Sequence, residues 1–234
     1  MNLKTLRLGF WLGLAVGVFS ASVCARPIRG GSLKVKVSVF NDAQITRGKV
    51  ATAENVAAGL FAQAGIRIDW LNCGRAAETS DEMVSCNEAA FPAHLQVHLR
   101  QKSLNLSEST LGLSYLGQDG IGCHADVFYA GVEPIERETG LSSEAILGLV
   151  IAHELGHLLL GSNSHATAGI MRRNWRKPEL SAAGKGLLGF SETQAETMRA
   201  RLENASVPVP VGVAARAEEK RASLPRLGIP ETLR

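Results

Sequence analysis

Two histidines four residues apart, with a glutamate beside the first, give this 234-residue chain its clearest chemical signal: His153-Glu154-Leu155-Gly156-His157. On a helix, four residues make about one turn, so both imidazoles project from one face. Two neutral ring nitrogens can then reach one Zn²⁺ at about 2.1 Å, leaving positions for a third ligand and a water. Glu154 is carried about 100° further round, to the side of the ion. From there its carboxylate can take a proton from water on the metal. The constellation spells metal-assisted hydrolysis.

The element that must present these residues can be read on either side of them. Ser143 to Leu160 is apolar nearly all round, which predicts a buried helix. Ser142 or Ser143 is suited to cap its start, Glu144 sits in the first turn, and Gly161 is suited to stop it. Two histidines and a glutamate on a buried helix need polar partners or a metal. The plainer alternative is a pair of core histidines satisfied by backbone carbonyls.

Past the helix the chain runs Gly161-Ser162-Asn163-Ser164-His165, then Gly169-Ile170-Met171. With these residues the motif resembles the metzincin clan of zinc peptidases, whose pattern is H-E-x-x-H-x-x-G-x-x-H followed by a Met-turn. The short step from His165 to Met171 is most similar to the matrixin branch. The resemblance implies a zinc ion on His153, His157 and His165, with Glu154 as general base, Gly161 turning the chain and Met171 beneath the metal. Trp175 is expected to be core for the same loop. Here the run is one residue longer on each side of the glycine, a length that turn-prone Ser162-Asn163-Ser164 can absorb. A downstream carboxylate is the other zincin solution for a third ligand. No aspartate follows Asp126, so Glu179, Glu192 and Glu196 are the alternatives to His165.

Around the motif the chain divides into three parts. Residues 1–25 read as a secretory signal: Lys4 and Arg7, a short apolar run from Leu8 to Phe19, and Val23-Cys24-Ala25 before the cut. The run falls short of the roughly 20 residues of a comfortable membrane span. Removing Lys4 and Arg7 lowers Lys plus Arg from 25 to 23 against 22 acidic residues, so a formal +3 becomes +1. Nothing in that balance builds a nucleic-acid surface. Residues 26–204 make one domain. From 205 to 234, Pro208, Pro210, Pro225 and Pro230 mixed with charges read as a disordered tail.

Secretion, or export to a periplasm, also sets the cysteine chemistry. Of the three remaining cysteines, Cys73 and Cys86 flank a polar segment and are the expected disulfide, a bridge that typically contributes about 3 kcal/mol. Cys123 is expected to be unpaired and buried.

The domain itself predicts α+β architecture, with one sheet packed against two or three helices. Leu33–Phe40, Ile66–Leu71 and His94–Arg100 alternate as strands, and Arg47 to Ala64 has helical spacing stopped by Gly65. Leu111–Leu116 and His124–Tyr129 are shorter strand candidates, either of which could be the edge beside the active helix. The metzincin resemblance implies that this is a zincin-like domain with one mixed twisted sheet. His94 and His98 share a face with Gln96 and Arg100, opposite Leu95, Val97 and Leu99, and are expected on the solvent side rather than at a second metal. Ser191 to Glu196 looks like the start of a surface helix.

Taken together, the residues and the resemblance imply a secreted zinc metallopeptidase, acting as a monomer on peptide or protein substrates. The competing class is a zinc-stabilised binding module with weak or lost catalysis. Only seven residues lie between the expected signal cleavage and the first strand, too few for a pro-segment; a peptidase of this kind would be selective or slow.

Overall fold

Alternation in Leu33–Asn41 builds β1, whose Val35, Val37 and Val39 are buried while Lys34 and Lys36 stay exposed. A computed structural model gives the fold and describes residues 33–73, 85–102, 107 and 110–205. The expected signal peptide, the polar segment 74–84 and the tail past 205 lie outside the described residues.

From β1 the chain rises through α1 (Arg47–Gln63) and returns in β2 (Ile66–Cys73), parallel to β1 with Leu33 opposite Ile66. β3 (His94–Arg100) joins the other side of β1, again parallel, with Lys36 opposite His94. β5 (His124–Phe128) adds parallel to β3, and β4 (Gly112–Tyr115) pairs antiparallel with β5. The order across the mixed sheet is β2-β1-β3-β5-β4, so β4 is one edge. Between the two candidates for the edge strand, topology selects residues 112–115.

A 3₁₀ turn at Tyr129–Gly131 leads into α2 (Val132–Thr139), which ends on a left-handed Gly140. The long α3 (Ser143–Leu160) follows, then α4 (Lys177–Gly184) and α5 (Glu192–Ala205). Helices α1, α3 and α5 cover one face of the sheet. This is the α+β class expected, with one mixed sheet and three packed helices. The short α2 and α4 were not visible in the sequence, because eight residues give too few turns for a periodic signal.

α3 is the core of the domain. Ile146, Leu147, Ile151, Leu155, Leu158 and Leu159 are wholly buried, each such side chain contributing about 1.5–3 kcal/mol of burial. Its start is capped by Ser142, whose hydroxyl accepts the Ala145 N–H at 3.2 Å. Gly161 ends it in the left-handed conformation, φ +67°, and its N–H bonds the His157 carbonyl at 2.9 Å. An L side chain there would be strained. Among the described residues α3 is the one helix long and apolar enough to cross a membrane, and here it lies buried in the protein.

The opposite face of the sheet departs from expectation. His94 is buried and its Nε2 lies 2.7 Å from the Ser38 hydroxyl, while His98 is half-buried and stacks on Phe40 at 4.4 Å. The reason is that the chain just before β3 folds back over this face. Ala90 and His94 exchange backbone hydrogen bonds at 2.9 Å, and Gln96 donates to the Cys86 carbonyl at 3.0 Å. A disulfide between Cys73 and Cys86 ties that segment down. Cys123 carries a free thiol and is half-buried rather than buried. Strand alternation tells which side a residue faces; it does not tell whether another segment covers that side.

Candidate metal centre

α3 brings His153 and His157 onto one face, and their rings sit edge to face with centroids 4.7 Å apart. The chain past Gly161 then carries His165 back to them, its ring 4.9 Å from His157 and 5.3 Å from His153. One nitrogen from each of the three lies within 4.8 Å of the others. The carboxylates weighed as alternatives are engaged elsewhere. Glu179 pairs with Arg172 and accepts the Arg176 N–H, Glu192 pairs with Arg199, and Glu196 is exposed. Among the described residues, no further His, Cys, Asp or Glu joins the triad.

Tautomers decide what this cluster can hold. His153 Nδ1 lies 2.8 Å from the Ile170 carbonyl, and His157 Nδ1 lies 2.7 Å from the Ser162 carbonyl. A carbonyl oxygen only accepts, so each Nδ1 carries the proton. Both Nε2 atoms of the neutral rings are then bare lone pairs, and they face each other at 3.0 Å. Two acceptors that close repel unless a cation sits between them. For tetrahedral zinc with bonds of 2.0–2.1 Å the same edge would be about 3.3 Å. Burial pushes His153 down to about 4, and it also lowers His157 and His165. The Arg173 charge adds to the lowering at His165. Neutral imidazole is the form a metal needs. The three imidazoles are positioned to hold one metal ion, and carbonyl partners fix two of the rings, His153 and His157.

The turn under the site is built from residues 166–171. Ala166 N–H bonds the Met171 carbonyl at 2.8 Å, and Gly169 is left-handed at φ +77°. Met171 is wholly buried against the helix at Gly156. The Ile170 carbonyl serves two donors, His153 Nδ1 and the Trp175 indole N–H at 3.0 Å. The Trp175 ring meets His153 edge-on at 5.8 Å. Trp175 is thus half-buried beside the metal-site histidine, more than filler for the loop.

Glu154 is buried, with 6 % of its surface exposed, and burial pushes its carboxyl up to about 7 against the lowering effect of a Ser114 hydrogen bond. Ser114 Oγ lies 2.6 Å from Glu154 Oε2 and 2.8 Å from the Glu154 carbonyl. Gly112, two residues earlier on the same face of β4, leaves the space the carboxylate occupies. A Cβ there would come within 2.5 Å of Oε1. β4 therefore moulds the carboxylate from above with one missing side chain and one hydroxyl. Neither residue was singled out in the sequence. They lie about 40 positions from Glu154, and only the antiparallel register of β4 on β5 brings them over it.

A cleft of about 990 Å³ opens onto His153, Glu154 and His165. Val150, Ile135 and Leu180 give it apolar surface, and α2 and the segment 173–177 form two of its walls. The site thus has three imidazoles positioned to hold a metal ion, a buried carboxylate beside them and an open cleft.

No family model matches the chain, and no curated protein sequence matches it. Among solved structures it is similar to a zinc-dependent peptidase from Methanocorpusculum labreanum, at 12% identity, covering 69% of this chain and 99% of that one, with TM-score 0.47. It is also similar to an archaemetzincin from Methanopyrus kandleri, at 14% identity, covering 75% and 98%, with TM-score 0.41. Likeness at this distance says nothing about activity, so the chemistry must come from the side chains.

Proposed function

We propose that the protein is an extracytoplasmic zinc metallopeptidase of the metzincin type, with His153, His157 and His165 as ligands and Glu154 as general base. The observation that carries the reading is the pair of unprotonated Nε2 atoms facing each other at 3.0 Å, with both Nδ1 protons committed to carbonyls. Two core histidines merely satisfied by carbonyls would have no reason to oppose their lone pairs. Zinc is favoured by an all-imidazole donor set whose His153–His157 edge of 3.0 Å is close to that of a tetrahedral site. Zinc, when bound, supplies Lewis acidity, lowering the pKa of a water toward 7 and polarising a carbonyl.

The chain's own residues do the rest. Ser114 donates to Oε2 of Glu154, which leaves Oε1 without a hydrogen-bond partner among the described residues. Oε1 takes the proton from the attacking water and delivers it to the departing amine nitrogen. Burial raises this carboxyl while the Ser114 hydrogen bond, and any cation bound beside it, lower it, a balance suited to a group that takes a proton and gives it back. Export follows from the basic, apolar start of the chain and fits a disulfide between Cys73 and Cys86. A purely structural ion would call for a fourth protein ligand and no cleft, so the binding-module alternative is the weaker reading.

Two measurements test this. Elemental analysis of purified protein should give one zinc per chain, lost with chelator. Full-length protein should cleave members of a diverse peptide library, while Glu154→Gln, still loaded with zinc, should lose at least about a hundredfold. Equal turnover by the two proteins would end the catalytic assignment.

A further inference from the structure

We infer that the cleft selects peptides carrying a carboxylate close to the scissile bond, borne either by an acidic side chain or by the chain's own C-terminus. The inference rests on the peptidase reading and names the substrate class of that site.

The segment 172–177 reads Arg-Arg-Asn-Trp-Arg-Lys, four cations in six residues. The structure sorts them. Arg172 turns away from the cleft and is neutralised by Glu179, which also caps the start of α4 through the Arg176 N–H at 2.9 Å. Arg173, Arg176 and Lys177 instead line the cleft that holds His153, Glu154 and His165. None of the three has an ion-pair partner among the described residues. The opposite wall offers one unpaired carboxylate, Glu138 on α2. With Glu154 counted as well, three cations face two carboxyls, so the cleft is net positive even before a metal adds its own charge.

Two further observations make this more than a solvated loop. The chain as a whole is close to neutral, at a formal +3 in 234 residues, so three free cations on one cleft wall are a local concentration. The wall is also anchored to the reactive centre. Trp175, between Arg173 and Arg176, is held by its N–H on the Ile170 carbonyl, the same oxygen that orients His153. A substrate in the cleft thus meets cations carried on a segment tied to the carbonyl that orients His153. A cleft with low-dielectric walls focuses such a field, and guanidinium binds carboxylate through two parallel hydrogen bonds. The apolar surface from Ile135, Val150 and Leu180 leaves the stem of the residue in an oily environment while its charge reaches the rim.

The test uses full-length, zinc-loaded protein and otherwise identical short labelled peptides. One set carries Glu, Gln or Lys on either side of the scissile bond; a second compares free and amidated C-termini. Cleavage is followed with the wild type, and binding with Glu154→Gln. Glu over Gln, or free acid over amide, should be favoured by roughly three- to tenfold in kcat/KM and in affinity, with Lys worst. The two peptide sets show which source of carboxylate is used. The preference should shrink as salt is raised, and should vanish or invert in R173E/R176E/K177E with zinc content unchanged. A preference below twofold, or one that survives the triple reversal, overturns the inference. Selective binding without cleavage by the wild type would support the inference and refute the peptidase reading. Indiscriminate cleavage would do the reverse, and neither binding nor cleavage would defeat both.

Discussion

Replacing Ser114 with alanine removes the one side-chain hydrogen bond that the Glu154 carboxylate receives among the described residues, without touching a candidate metal ligand. The hydroxyl lies 2.6 Å from Oε2, and Ser114 and Glu154 are 5 % and 6 % exposed, so water cannot readily take its place. A hydrogen bond to a charged group is worth about 1.5–3 kcal/mol. That energy favours the ionised form of the base, so losing it lowers the ionised fraction, and kcat with it, by up to about ten- to a hundredfold on the acid side of its titration. KM and zinc content should hold, because the cleft wall and the imidazoles are unchanged. The loss should also depend on pH. The Ser114 hydrogen bond lowers this carboxyl, so removing the hydroxyl moves it up whether or not a cation is bound beside it. A base acts only when ionised, so the deficit should be larger at pH 6 than at pH 8. Steady-state kinetics across that range, with zinc measured on the same samples, check the prediction. In a Glu154→Gln background the serine substitution should cost little more. A kcat within twofold of wild type throughout, or an equal loss in that background, would refute the reasoning.

Gly112→Ala places a methyl within 2.5–2.6 Å of the Glu154 carboxylate and should lower kcat by at least about tenfold while the protein still binds zinc, read by kinetics and metal analysis. Gly156→Ala drives a Cβ to 2.6 Å from Met171 Sδ and 2.9 Å from the Phe190 ring, an overpacking that should cost about 1–3 kcal/mol in denaturant unfolding. Glu54 on α1 is buried, with Oε1 unpartnered, and burial raises its carboxyl to about 7. Its folded-state pKa lies above the unfolded value, so its favourable contribution is complete below about pH 4.5 and is lost as pH rises toward 7. Glu54→Gln should therefore match wild type near pH 4.5 and exceed it by about 2–3 kcal/mol at pH 8, measured by denaturant titration at both values. Replacing Cys73 and Cys86 with serine should cost up to about 3 kcal/mol and expose the back face of the sheet at His94, seen as faster amide exchange there.

The parts that were legible in the sequence are those whose geometry is local. Four-residue spacing put His153 and His157 on one helical face, Ser142 or Ser143 and Gly161 marked the ends of that helix, and alternation marked β1, β2 and β3. His165 was named as a ligand through a resemblance, while Glu179, Glu192 and Glu196 remained open. Only the return of the chain past Gly161 separates them, because the glutamates are drawn into ion pairs or onto the surface. His94 was misplaced toward solvent because alternation carries no information about a segment that folds back across the sheet.

By itself, then, the order of residues determined that a buried helix would offer two imidazoles and a carboxylate, since helical pitch is a property of the local backbone. Tertiary structure alone decided which protons those imidazoles keep, through the carbonyls of Ile170 and Ser162. It also decided how the carboxylate is held, through an edge strand 40 residues away. Such partners are chosen by register and chain reversal, and these are settled only when the whole sheet and its helices pack together.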